Sequence, residues 1–217
     1  KDLIENFVNE LQIDEINSTL WSMLKKRLIL AVNPQSINER VIESSKVTTI
    51  PYSGNNPFDG IFKFLTKTTN GNIIDNGTIE VKNPKLCCGT VNTLFDYDNQ
   101  GCWTHIEKDN SGKSWIQFDF KTKKIQINSY MIKSRHGNGG RSYLKSWRIQ
   151  TSEDENYWSL IDERKNVNTL KGKNNSDVFN ISMTKPFRFI KLISDENWNS
   201  SSDYSFSIAN IEYFGKL

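Results

Sequence analysis

The chain has little of what several protein classes are built from. Among 217 residues there are three cysteines, two histidines and five prolines. The cysteines, Cys87, Cys88 and Cys102, are odd in number and clustered, which excludes a secreted disulfide framework and points to a reducing compartment. There is no His-Glu-x-x-His, no Gly-x-Ser-x-Gly and no recognisable nucleophile–base set, so the chain is read as a non-enzyme. No apolar run approaches the ~18 residues of a membrane-spanning helix, and no signal peptide is visible. The chain opens on Lys1 and is read as a fragment. Its 28 basic and 25 acidic side chains leave a net charge of +3, too balanced for a nucleic-acid-binding face. The densest basic run, Lys121 to Lys124, lies between two predicted strands and is read as a solvated hairpin turn.

What the chain does have is a series of short alternating segments: Trp115–Phe120, Ser129–Ser134, Leu144–Ser152, Val178–Ile181, Arg188–Ile193 and Ile208–Gly215. Alternation with period 2 puts one face on a core and the other in water, as in an antiparallel sandwich. Such scaffolds usually bind through their end loops.

The order of these pieces resembles the discoidin, or coagulation factor 5/8 type C, family. The matching segments are Leu94–Trp103 with its acidic turn, Ser114–Phe120, Tyr143–Ile149, Ser152–Trp158, Phe187–Leu192 and Ile211–Gly215. The resemblance covers residues 70–217. It implies an all-β jelly-roll sandwich of about eight strands, generally a non-catalytic binding module.

Residues 1–45 read differently. Leu3, Ile4, Phe7, Val8 and Leu11 recur at helical spacing, as do Ile16, Leu20, Leu24 and Leu28, and Asn33-Pro34 opens a third short helix. This segment resembles the end of a BACK-type helical region, which in many proteins joins a BTB domain to a recognition domain. Residues 46–69 are read as a linker followed by a short helix carrying Phe58, Ile61, Phe62 and Leu65 on one face.

Four constellations could carry chemistry. Asp96, Asp98, Gly101 and Glu107 match positions 1, 3, 6 and 12 of an EF-hand loop, but the flanks do not read as helices. No metal or other cofactor is therefore expected, with calcium kept as a minor option at Asp96, Asp98 and Glu107. Cys102-x-x-His105 has zinc-ligand spacing, but the adjacent Cys87-Cys88 pair suits a tetrahedral site poorly. The Arg135–Arg141 loop is glycine-rich, and its two arginines could grip a carboxylate, phosphate or sugar hydroxyls. Lectin-type members of the discoidin family converge one histidine and two basic residues on a sugar. His105, Arg135 and Arg141 resemble that trio, with Gly137 where the pattern has Asp.

By the same resemblance the binding end comprises loops near 83–92, 96–102 and 135–143. The candidate ligand-binding residues are His105, Arg135, His136, Arg141, Tyr143 and Leu86. Trp115, Trp147, Trp158 and Trp198 are read as packing residues. The leading expectation is a recognition or scaffolding module that binds a protein partner. It would belong to a larger BTB-type adaptor or cytoskeletal assembly in the cytoplasm, able to homo-oligomerise through an upstream domain. The alternative is a lectin-like, glycan-binding or phospholipid-binding domain; neither nucleic acid nor a membrane is the favoured partner.

Overall fold

The alternating segments fold as strands, and shorter strands that carry no readable alternation complete the sheets. The computed structural model describes residues 47–54, 58–97, 104–136, 142–199 and 204–217. The expected helices over residues 1–45 lie outside that set. The strands are β1 (Thr49–Ile50), β2 (Glu80–Lys82), β3 (Leu86–Cys88), β4 (Thr104–Ile106), β5 (Ser114–Asp119) and β6 (Gln126–Ser134). They continue with β7 (Leu144–Ser152), β8 (Ser159–Arg164), β9 (Ser176–Asn180), β10 (Phe189–Asn197) and β11 (Phe206–Lys216). Helix α1 (Ile61–Thr69) precedes β2, and a 3-10 turn (Val91–Phe95) follows β3.

Two antiparallel sheets form the sandwich. One runs β3-β4-β11-β6-β9, with β1 paired to the end of β11; the other runs β2-β5-β10-β7-β8. Ile116, Phe118, Ile190 and Leu192 from one sheet meet Tyr130, Ile132, Ile211 and Tyr213 from the other in a continuous core. The all-β expectation holds, but eleven described strands replace the expected eight. The surplus lies in two- and three-residue strands that pattern reading cannot see. The turn at Lys121–Lys124 joins β5 to β6 and so crosses between sheets instead of closing a hairpin. Lys121 pairs with Glu80 and Lys124 with Glu153, so these lysines are spent on ion pairs.

Trp147 is completely buried, as expected of a packing residue. Its Nε1 donates to the Tyr130 hydroxyl at 2.8 Å, and Tyr130 donates to Asp162 at 2.6 Å. Arg164 closes the chain on the same carboxylate. This polar thread ties β6 in one sheet to β7 and β8 in the other. It satisfies the buried indole N–H and phenol O–H that a purely apolar core would leave stranded.

The turn from Ser152 to Trp158 folds back over the outer face of its own sheet. Asp154 accepts the backbone N–H groups of Asn156 and Tyr157, and Glu155 reaches Lys82 at 2.8 Å and Gln117 at 2.7 Å. Lys191 then lies between the Trp115 and Trp158 rings, 4.9 and 4.0 Å from their centroids.

β11 departs most from its sequence pattern. Alternation would place Glu212 in water, yet every residue from Phe206 to Gly215 is buried and Glu212 has no exposure. Between the stretches paired to β4 and β1, one edge of β11 has no strand partner among the described residues. The 3-10 turn and α1 fill that gap. Asn210 Nδ2 donates to the carbonyls of Thr93, Leu94 and Asp96. Glu212 accepts the N–H of Phe62 at 2.8 Å and of Lys63 at 3.0 Å, so it caps the N-terminus of α1 from a distance. Tyr97 adds a fourth element by donating to the same carboxylate at 2.8 Å. Gly60 makes the approach feasible, because a Cβ there would lie 2.4 Å from Glu212 Cγ and from the Tyr213 carbonyl. Phe62 then wedges into the core, its ring 4.7 Å from Phe95 and 5.3 Å from Tyr213.

Candidate functional site

The described residues that flank the loops singled out by the sequence lie at one end of the sandwich, where β6 ends, β7 begins and β3 meets β4. His105 sits in β4, half-buried, opposite Cys88 on one side and Ser207 on the other. Its Nδ1 is 2.7 Å from Ser207 Oγ, which fixes the ring. This Ser–His contact is not a catalytic pair. Ser207 has no solvent exposure, so no substrate carbonyl can reach its oxygen.

Arg135 and His136 follow β6 and are both buried. Arg135 Nε donates to the His136 carbonyl at 3.2 Å, and the Arg135 carbonyl accepts the Asn174 N–H. The backbone of its own loop thus takes the Arg135 Nε–H. Burial, reinforced by Lys133, holds the His136 imidazole below its ordinary pKa, so it is neutral near pH 7. Arg141 lies outside the described residues. Tyr143 is half-buried just before β7, and its carbonyl accepts the Trp198 N–H at 2.9 Å. Leu86 pairs with Ile106 and packs against the core, so the structure seats it in the sheet instead of at a loop tip.

The EF-hand reading fails structurally: a 3-10 turn precedes Asp96 and strand β4 stands before Glu107. Asp98 lies outside the described residues. Glu107 pairs with Lys85 at 2.7 Å, which holds its carboxyl below the usual range. Among the described residues, no three His, Cys, Asp or Glu side chains are placed to hold a metal.

Sequence reading missed what surrounds this end. Trp198 closes β10 with Lys171 and Lys145 over its ring at 4.3 and 5.4 Å, and Lys113 covers Tyr204 at 4.8 Å. None of these pairs is close in sequence, so no local signal marks them. A pocket of about 470 Å³ opens at the opposite end, between Tyr157, Thr151, Thr184 and Pro186.

A family model, the F5/8 type C domain, matches residues 84–208, more than half of the chain. The chain belongs to the F5/8 type C family. Members of this family are typically non-catalytic binding modules, and this chain is a module of that discoidin type. Among curated proteins, rat lactadherin is 30% identical over 103 residues, which span 44% of this chain and 23% of that protein. The chain thus matches less than a quarter of lactadherin's length. Among solved structures, a module of Clostridium perfringens in complex with GalNAc-β-1,3-galactose superposes with a TM-score of 0.51 at 16% identity. The match covers 64% of this chain and 96% of that one. A family 32 carbohydrate-binding module of the same organism, in complex with galactose, gives 0.48 at 14% identity over 65% and 96%. At these identities the likeness is one of fold. The family match begins at residue 84 and does not extend to the BACK-like segment.

Proposed function

We propose that this F5/8 type C domain is a non-catalytic glycan-binding module that uses the end formed by β3, β4 and the β6–β7 loop. One observation carries the reading: among its described residues, that end exposes no large apolar side chain. The exposed large apolar side chains among the described residues are Val47, Tyr52, Tyr157, Leu160 and Met183. Val47 and Tyr52 flank β1, Tyr157 and Leu160 stand at the start of β8, and Met183 follows β9. All belong to the other end or the sheet flank. Docking a protein through the loops would call for an apolar patch there. Instead the end offers His105, oriented by Ser207, with Arg135, His136 and Tyr143 on the strands and strand ends beside it. That inventory suits hydroxyl-rich ligands, and the solved module of the same fold that carries a disaccharide supports it. The protein-scaffold reading depends on the BACK-like residues 1–45, for which the family match gives no support.

Calorimetric titration with GalNAc-β-1,3-galactose and galactose tests this. Wild type should bind at least one of them. His105→Ala should weaken that binding about tenfold, one hydrogen bond's worth, and Arg141→Ala should weaken it too. Equal affinities in wild type and His105→Ala would remove the site from this end. Failure to bind sugars, together with salt-sensitive binding to phosphatidylserine vesicles, would replace the glycan with an anionic lipid surface.

A further inference from the structure

Consecutive residues of a regular strand point to opposite faces, which holds adjacent cysteine thiols apart. β3 departs from that rule. Its register against β4 slips between Leu86, opposite Ile106, and Cys88, opposite His105. Across this irregularity Cys87 and Cys88 are both exposed and free, with their sulfurs 3.7 Å apart. The β-bulge has brought together two side chains that the pleat would separate.

We propose that Cys87 and Cys88 form a reversible dithiol–disulfide modification site, oxidised by small disulfides of the glutathione type. In the first step one cysteine thiolate attacks the oxidant's S–S bond, giving a mixed disulfide and expelling one thiol. The second cysteine's thiolate then attacks the protein sulfur of that mixed disulfide and expels the second thiol. The protein's sulfurs lose two electrons and two protons, and the oxidant's sulfurs gain them as two thiols.

Geometry favours the second step, because the attacking sulfur is already beside its target. Closure needs the sulfurs to move from 3.7 Å to about 2.05 Å, a shift within the bulged end of β3. The product is strained. Adjacent Cα atoms are about 3.8 Å apart, below the usual disulfide span of about 4.4–6.8 Å. Strained disulfides are readily reduced, which makes the modification reversible. The facing charges are few. Cys88 and the Glu107 carboxylate hold the Cys87 thiol above its ordinary pKa, while Lys85 is tied to Glu107. Oxidation should therefore quicken as pH rises.

The test treats the full chain carrying Cys102→Ser with glutathione disulfide at pH 7.0 and 8.5, followed by intact mass and peptide mapping. The unsubstituted chain is run in parallel. The expected product is lighter by about 2 Da, closed within the peptide containing both cysteines, and restored by dithiothreitol. Cys87→Ser and Cys88→Ser should each instead keep one glutathione. Stable glutathione adducts on the two-cysteine protein, a disulfide-linked dimer, or no reaction where the unfolded chain reacts would each overturn the proposal.

Discussion

Stability should fall by about 2–3 kcal/mol between pH 5 and pH 8 through Glu212 alone, and Glu212→Gln should abolish that decline. Burial pushes this carboxyl up from its ordinary 4.5 to about 7, although the N–H groups of Phe62, Tyr213 and Lys63 and the Tyr97 hydroxyl pull it down. Between those two values the folded chain holds a proton that the unfolded chain has released. The contribution is therefore complete below about pH 4.5 and disappears as pH rises through 7. Protonated, Glu212 can donate to Tyr97, whose hydroxyl turns to its second acceptor, the Ile211 carbonyl at 3.4 Å. The His136 imidazole, held below its ordinary pKa, titrates in the opposite sense. The quantity to read is accordingly the difference between wild type and Glu212→Gln in urea midpoints across pH. Parallel curves would sink this account. Glu212→Ala strands the first N–H groups of α1 and the Tyr97 hydroxyl, and its cost should be largest near pH 5 and shrink as pH rises to 8, because alanine does not titrate.

Trp147→Ala should cost still more, about 4 kcal/mol, out of the roughly 5–15 kcal/mol that hold a domain together. The side chain is wholly buried, its ring 5.0 Å edge-on from Phe179, and its N–H feeds the thread through Tyr130 to Asp162. Trp147→Phe separates the two contributions. It keeps most of the apolar area but leaves the Tyr130 oxygen without its donor, so about 1–2 kcal/mol should be lost. Chemical denaturation of both variants decides. Equal losses would mean the thread matters and the packing does not; losses under about 1 kcal/mol in both would show the core closes around the gap.

The long strands were legible because one face of each meets a core. Ile116 and Phe118 on β5, Phe120 just after it, and Ile190 and Leu192 on β10 display their partners' geometry in their own spacing. β3 and β4 were not legible, since three residues cannot show a period. β8 was hidden by the register slip between Ile149 and Gln150 of its partner. Glu212 misled for a different reason: alternation assumes water on the outer face, whereas α1 occupies that space. The candidate site was legible as a set of loops and not as an arrangement. A buried Arg135, a Leu86 turned to the core and thiols paired by a slipped register all depend on long-range contacts that no local pattern carries.

The position of β11 bears on how the chain comes to fold. β11 joins β1, β4 and β6, so its sheet has no centre until the last strand is in place. Thr49 meets Lys216 across nearly the whole sandwich, and such distant pairings must close large loops before they return any stabilisation. On the ribosome, β1, β4 and β6 therefore wait with unpaired edges for residues 206–216 to emerge. This interval is when the chain is most open to mispairing with another copy of itself.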